Sequence, residues 1–236
     1  GVGSDNLLFR DMRFNRDTWE KSDINNLPCP CCNKSLVYKE FMIQETERGE
    51  LMQECNGTQN EYIFTGELSC TCGNYYSIHG EKNTTECEDG TASNYQIKGI
   101  FPTLSLFQFP KQCPQTVKDE LTKSFALYWI DLESCGNKIR IAIELLLDAL
   151  AIPTMPSLHK RIECYPDPTV KSYLLAIKWI GNTGSHADTL TQQDILDAYE
   201  MMFKVLDVLF EKTEDKLQQK ANMINTTKKP ISKSTK

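Results

Sequence analysis

The segment Lys178-Trp-Ile-Gly-Asn-Thr-Gly-Ser-His-Ala-Asp188 lies between two stretches that repeat apolar residues with helical spacing. An imidazole, an amide and two glycines come together in it, so any chemistry in the C-terminal half is expected to centre on His186. Gly181 is predicted to end the helix that precedes the segment. Thr191, with Asp194 three residues later, is predicted to cap the helix that follows.

Apolar residues recur at three- and four-residue steps from about residue 114, which is typical of helices that bury one face. They predict four helices, at about 114–132, 138–150, 168–180 and 191–210. Cys135-Gly136-Asn137 is predicted to separate the first two helices, with Asn137 as the cap of the second.

The tail that follows these helices, 213–236, is rich in lysine. A helical extension is expected to about residue 223. Residues 225–236 are expected to be disordered, because Asn, Thr, Ser and Lys cannot bury a core.

The N-terminal half has a different pattern of apolar residues. Aromatic and β-branched residues alternate between turn-forming residues and predict strands at about 36–43, 62–70, 74–78 and 95–101. Residues 1–26 show no sustained period and are expected to form an arm that lies on another module, anchored by Trp19. The predicted fold class is therefore α+β, with a small zinc-ribbon-like β domain over 27–108 and a helical domain over 109–212.

Two pairs of closely spaced cysteines give the β domain its chemistry. Cys29-x-x-Cys32 and Cys70-x-Cys72-Gly73 have the spacing of tight turns that present thiolates in pairs. Four thiolates complete a tetrahedral zinc site and leave no open position, so the predicted Zn²⁺ is structural. The metal would stabilise a β domain too small to build a large core.

The cysteine pattern leaves alternatives open. Cys31 can replace Cys29 or Cys32 as a ligand, and Cys55, Cys87 and His79 are weaker candidates. Reduced cysteines without a metal are a further reading, as are disulfides in a secreted protein with glycans on its Asn-x-Ser/Thr triplets.

Charge and hydropathy narrow the class of protein. A formal charge of −6 argues against non-specific electrostatic binding of nucleic acid over a large surface, although a local basic patch remains compatible with it. The sequence shows no run of about 18 apolar residues and no signal-peptide pattern. We therefore expect a cytoplasmic location without membrane contact.

The helical half resembles a known family in the order of its motifs. These are Arg140-Ile-Ala-Ile-Glu144, the run Ile180-Gly-Asn182-Thr-Gly-Ser-His186 and a closing helix from Thr191. Together, over about 109–212, they resemble a bacterial domain family of unknown function that is grouped with the HEPN superfamily and often follows a zinc-binding segment. The resemblance implies an antiparallel four-helix bundle, a homodimer through the helical domain, and a role in antiviral defence, toxin–antitoxin or regulatory systems.

Active members of that superfamily are metal-independent ribonucleases that use an Arg and a His with four to six residues between them. In this sequence the corresponding positions before His186 hold Gly181, Ile180 and Trp179, and the nearest cation is Lys178. Lysine replaces poorly a guanidinium that holds phosphate through two hydrogen bonds. Arg140 is expected either to form an ion pair with Glu144 four residues later or to reach the His186 loop.

Three functions follow from these observations. The first is a non-catalytic assembly or sensing component that works with a protein partner in a defence or regulatory system. The second is an endoribonuclease with a degenerate site built from His186, Asn182 and Arg140, assembled across a dimer. The third is a regulator that binds RNA or DNA through the ribbon and the lysine tail. The missing Arg favours the first, in which the protein is not an enzyme.

Overall fold

A computed structural model describes residues 19–52, 57–88, 90–183 and 190–233 of the chain. It confirms the α+β class, with a four-stranded antiparallel sheet followed by helices. The sheet is an antiparallel meander with the order β1-β2-β3-β4, with strands at Val37–Met52, Gly57–Ser69, Tyr75–Cys87 and Gly90–Phe101.

All four strands run well beyond their predicted ranges. The antiparallel ladder of β2 and β3 continues without interruption from the Ser69–Tyr75 pair to the Thr58–Glu86 pair. Polar residues fill this extension, and the sequence pattern missed it because an alternation of apolar side chains marks only the part of a strand that covers a core. Backbone hydrogen bonds sustain this part of the ladder, and side-chain contacts such as the Lys82–Glu40 ion pair at 3.2 Å add to them.

One face of the sheet forms the core of the β half. Phe64, Leu68 and Ile78 are fully buried there, and the Tyr95 ring packs edge-on against Phe64 at 5.0 Å between centroids. Trp19 exchanges two backbone hydrogen bonds with Tyr95, at 2.8 and 2.7 Å. Its indole, 2% exposed, also lies 6.1 Å from the ring of Trp129 in the helical half. Trp19 thus contacts both halves, as expected of an anchor, whereas residues 1–18 of the predicted arm lie outside the described residues.

The helices lie at Lys21–Ile24 (α1), Gln115–Leu127 (α2), Leu132–Ala149 (α3), Leu158–Glu163 (α4), Pro168–Thr183 (α5), Gln192–Leu206 (α6) and Thr213–Thr227 (α7), with a π-helical turn at Asp207–Glu211 and a 3-10 turn at Ile231–Lys233. The predicted cap of α6 is confirmed, since the Thr191 and Asp194 side chains exchange hydrogen bonds with each other's backbone N–H groups. α7 reaches Thr227 and so enters the segment predicted to be disordered.

The predicted position of the break between the first two long helices, α2 and α3, was wrong. α2 ends at Leu127, and α3 begins at Leu132 and continues straight through Cys135, Gly136 and Asn137. Asp131 is the cap instead, because its carboxylate accepts hydrogen bonds from the backbone N–H of Ser134 at 2.9 Å and from the Ser134 hydroxyl at 2.6 Å. A carboxylate in this position also faces the positive end of the helix dipole.

The prediction that Gly181 ends α5 was also wrong, because α5 continues to Thr183. A Cβ on Gly181 would lie 2.8 Å from the carbonyl oxygen of Gly136, so α3 and α5 approach closely at these two glycines. Glycine is required here for space, and its conformational freedom plays no part.

A buried polar cluster connects three of the helices. The Tyr199 hydroxyl of α6, fully buried, lies 2.8 Å from the Ser124 hydroxyl of α2 and 3.1 Å from the Cys135 sulfur of α3. Burial raises the pKa of the Cys135 thiol to about 12, so this cysteine is a neutral structural group. No helix in the part of the chain that the structure describes is long and apolar enough to cross a membrane.

Candidate metal centre

The first pair of cysteines lies on a tight turn just before β1. The backbone N–H of Cys29 donates to the carbonyl of Lys34, and the N–H of Asn33 donates to the carbonyl of Cys29, both at 2.8 Å. Asn33 adopts a left-handed conformation with a φ of 59°, which asparagine tolerates better than most residues. The turn thus folds back on itself and points the side chains of Cys29 and Cys32 to the same side.

The second pair lies on the turn between β2 and β3 and repeats this design with one residue fewer. The Cys70 N–H donates to the Asn74 carbonyl, and the Gly73 N–H donates to the Cys70 carbonyl, both at 2.9 Å. Gly73 has a φ of 96°, a conformation that side chains disfavour, so the glycine is needed for the turn. The short spacing Cys70-x-Cys72 is therefore compatible with the same kind of turn.

The four predicted cysteines lie together. Their sulfur atoms all lie within 4.8 Å of one another, with 3.6 Å between Cys29 and Cys72 and 3.3 Å between Cys32 and Cys70. Thiolates bound to one tetrahedral zinc at about 2.3 Å would lie about 3.8 Å apart. The observed separations match this arrangement and exceed the roughly 2.05 Å of a disulfide bond. The four thiols can therefore hold one metal ion without any change of fold.

Two sulfur atoms receive hydrogen bonds that favour the thiolate. The Asn74 amide nitrogen lies 3.4 Å from the Cys72 sulfur and 3.6 Å from the Cys29 sulfur. For Cys29, burial opposes ionisation, but hydrogen bonds from the backbone of Cys32 and Cys31 and from Asn74 outweigh it and lower the thiol pKa to about 6. Cys29 is thus prepared for metal binding.

The negative charges of neighbouring thiolates disfavour ionisation of the whole group. The backbone N–H of Asn74 favours ionisation of Cys72, but the neighbouring thiols and burial outweigh it and raise its pKa to about 12. The pKa of Cys32 is also raised, whereas that of Cys70 is lowered, chiefly by the backbone N–H of Cys72. A divalent cation would offset this mutual repulsion, and its binding would release the remaining protons.

Two of the four alternative ligands lie outside the cluster, and the side chains of the other two are not described. Cys31 is exposed and does not belong to the cluster, and His79, exposed on β3, lies outside it as well. Cys55 lies outside the described residues, and the side chain of Cys87 is not described. Within residues 19–52, 57–88, 90–183 and 190–233, Cys29, Cys32, Cys70 and Cys72 form the one cluster suited to a metal.

Asn74 is a site residue that the sequence pattern did not reveal. It was assigned to the start of a strand, and nothing in its spacing distinguishes it from an ordinary turn residue. Only the closeness of the two turns shows that its amide serves sulfur atoms from both of them.

In the helical half, Arg140 forms the predicted ion pair with Glu144, at 2.8 Å between Nη1 and Oε1. Its Nε also lies 3.4 Å from the Asn137 amide oxygen. The Arg140 Cβ lies 3.1 Å from the Cβ position of Gly181, so the side chain starts beside the last turn of α5, which carries Asn182. His186 lies outside the described residues, and the contact between Arg140 and the His186 loop stays a prediction.

Lys178 is the cation nearest to the position where the ribonuclease pattern needs an arginine. Its side chain is 8% exposed, and its Nζ lies 3.3 Å from the ring centroid of Trp179, which is itself 57% exposed. A lysine held over an indole face in this way is stabilised by a cation–π interaction.

Residues 122–227 match the model of one protein family. That family is described as Domain of unknown function (DUF4145). The matched segment begins within α2 and ends with the last residue of α7, so it includes α7 and leaves out the cysteine cluster. No curated protein and no solved structure matches the chain.

Proposed function

We propose that the protein is a non-catalytic, HEPN-like assembly or sensing component of a bacterial defence or regulatory system. The order of the helical motifs, with a cysteine cluster in front of them, supports this assignment through resemblance. The proposal includes a structural role for the metal, namely one Zn²⁺ held by Cys29, Cys32, Cys70 and Cys72. A site with four thiol ligands has no position left for a substrate or an activated water.

The non-catalytic assignment rests on one observation: Arg140 and Lys178, the cations considered for the site, already have partners. Catalysis of phosphodiester cleavage needs a positive group that is free to meet the developing charge of the phosphate. Arg140 is paired with Glu144, and Lys178 is held over the Trp179 ring. Both cations would have to leave these partners to serve a phosphate near His186.

One contact favours a second candidate, an endoribonuclease with a degenerate site. Because Arg140 starts beside Gly181, a rotation of its side chain away from Glu144 would carry the guanidinium along the end of α5 towards Asn182. The partly buried Arg140–Glu144 pair is an i,i+4 pair of one helix, which typically contributes a few tenths of a kcal/mol, so such a rotation costs little. In this alternative Arg140 would stabilise the phosphate and His186 would move the proton.

An RNA cleavage assay decides between the two. Wild-type protein is incubated with labelled RNA in the presence of a chelator, beside His186→Ala and the control His159→Ala, which removes an imidazole from α4. We expect no cleavage above the buffer control for any of the three proteins. Cleavage that is lost in His186→Ala and retained in His159→Ala would establish the ribonuclease and overturn the proposal, and its loss in Arg140→Ala would assign the guanidinium.

A further inference from the structure

The sheet carries apolar side chains on the face that does not form the core. Val37, Phe41, Ile63, Tyr75 and Phe101 are 60%, 58%, 48%, 62% and 72% exposed. For Val37, Ile63, Tyr75 and Phe101, the sequence neighbours Tyr38, Phe64, Tyr76 and Ile100 are buried, so the alternation of a strand assigns these four residues to the opposite, outer face. Phe41 lies at a bulge of β1 and lines a cleft together with Tyr75 and Phe101, so it belongs to the same face. We call this surface the outer sheet face.

The strand register places Val37, Tyr75 and Phe101 close together, whereas Ile63 lies farther along the same face. Val37 of β1 pairs with Ser69 of β2, which in turn pairs with Tyr75 of β3. Phe101 of β4 pairs with Ser77, two residues after Tyr75. A shallow cleft of about 390 Å³ lies on this face and is lined by residues from all four strands and the adjoining turn, among them Phe41, Tyr75, Phe101 and Pro102.

The area of the outer sheet face is that of an interface. An aromatic side chain offers about 150–250 Å² of surface, so Phe41, Tyr75 and Phe101, at 58% to 72% exposed, present roughly 500 Å² together with the smaller Val37. Exposed apolar patches on monomers rarely exceed about 300–600 Å². A stable dimer buries about 800 Å² on each partner, somewhat more than half of it apolar. The face therefore supplies the apolar area that one side of such a dimer requires.

The charges on the face fit a second copy of the chain. Lys39 of β1 and Glu67 of β2 are direct cross-strand partners on the outer side, so a cation and an anion stand side by side among the aromatic rings. The Lys39 Nζ also lies 5.0 Å from the Phe41 ring. A two-fold axis can set Lys39 of each copy against Glu67 of the other without like-charge contact. A nucleic-acid strand would instead place its phosphates near Glu67.

We propose that the outer sheet face is the surface on which two copies of this chain associate, sheet against sheet. Antiparallel sheets with apolar residues on both faces normally form one layer of a two-layer structure, with the second sheet about 10 Å away. The second copy supplies that layer. The interface is separate from the helical dimer that the HEPN resemblance implies, and it does not depend on the proposed function.

Sedimentation velocity of the full chain over a range of concentrations tests the proposal. We expect the wild-type chain to dimerise, and Phe101→Glu and Tyr75→Glu each to weaken self-association at least tenfold. Both side chains are mostly exposed, so we expect unchanged circular dichroism and thermal unfolding. Ile130→Glu replaces a residue that is equally exposed, at 67%, between α2 and α3, and should leave the dimer intact. Trp179→Glu on α5 tests the helical interface in the same assay.

A charge-exchange experiment shows whether the contact lies between copies. Lys39→Glu and Glu67→Lys should each weaken the dimer, because each places like charges across the two-fold axis. An equimolar mixture of the two variants should recover association, since every contact between unlike copies then joins opposite charges, whereas the pair within each chain stays broken. A mixture that remains dissociated would overturn the proposal.

Three other results would overturn it as well. One is a wild-type chain that stays monomeric throughout the concentration range. Another is a dimer that dissociates with Trp179→Glu and not with Phe101→Glu. The third is binding of a single-stranded RNA oligonucleotide by a monomeric chain that Phe101→Glu abolishes, which would assign the aromatic face to base stacking.

Discussion

Gly73 in the β half and Gly181 in the helical half show two different uses of the same residue. Gly73 has a φ of 96°, and nothing lies within 4 Å of the position where its Cβ would be, so its dihedral angle alone requires glycine. Gly181 is helical, and its Cβ position lies 2.8 Å from a backbone oxygen of α3, so lack of space requires glycine. Local sequence reveals the first use, whereas the second depends on a partner more than forty residues away in the chain.

The two halves also differ in what holds them together. In the β half, two turns that lie far apart in sequence meet through four sulfur atoms and one amide. In the helical half, the equivalent junction is a close approach of two backbones surrounded by buried aliphatic side chains. Removal of a metal should therefore destabilise the β half. Addition of one methyl group at the glycine contact should destabilise the helical half.

The largest effect is expected from Cys32→Ser, with Cys31→Ser as its control. Cys32 belongs to the cluster, whereas its neighbour Cys31 is exposed and outside it. Loss of one ligand should reduce bound zinc from one equivalent to well below one and destabilise the β half by several kcal/mol. Elemental analysis and chelator-induced unfolding measure these changes. A Cys31→Ser protein that loses zinc equally, or a wild-type protein without metal and with an intact fold, would contradict the assignment.

The second-largest effect, a loss of about 2 to 3 kcal/mol in the free energy of unfolding, is expected from Gly181→Ala. Alanine favours a helix by about 1 kcal/mol over glycine, but here the new methyl group would press on the Gly136 carbonyl and force α3 and α5 apart. Gly136→Ala is the matched control, since its Cβ would first meet the flexible end of Leu190 at 3.3 Å and should be nearly neutral. Urea unfolding measures both. Equal stabilities of the two variants would show that the helix crossing does not limit the fold.

These glycines illustrate what the sequence could and could not provide. The cysteine pairs were found correctly because their spacing within each turn is itself the chemical requirement. The α+β class and the α6 cap followed from equally local patterns. The breaks assigned to Gly136 and Gly181 were wrong because a glycine inside a helix has no local mark that separates it from one that ends a helix. Asn74 could not be predicted from the sequence for a similar reason, since the two sulfur atoms that its amide contacts lie on different turns.

A smaller loss of stability, about 1 to 2 kcal/mol in the free energy of unfolding, is expected from Glu120→Gln at neutral pH. The Glu120 carboxylate of α2 is buried and lies 2.9 Å from the Nζ atoms of both Lys123 and Lys138. Burial alone would raise its pKa, but the two lysines outweigh burial and hold the pKa below the usual 4.5.

The pH dependence of this effect follows from that direction. A carboxyl group with a lowered folded-state pKa stabilises the fold above its unfolded-state pKa and loses this contribution as the pH falls through the folded-state value. The gap between wild type and Glu120→Gln should therefore close below about pH 4.5 in unfolding experiments. Glu144→Gln, which removes the less buried Arg140–Glu144 pair, should cost much less at every pH. A gap that stays constant down to acidic pH would exclude the ion pair as its source.

The smallest effect concerns the start of α3 and decides between the cap expected from sequence and the cap that the structure has. Asp131→Ala removes a side chain that accepts hydrogen bonds from Ser134, and it should cost about 1 kcal/mol. Asn137→Ala, in contrast, replaces an exposed residue inside the helix with the best helix former, so it should be neutral or slightly stabilising. If Asn137 were the cap, the order would be reversed, because alanine would then leave the first N–H groups of the helix without an acceptor. Thermal unfolding of the two variants at neutral pH therefore places the start of α3 without any further structure determination.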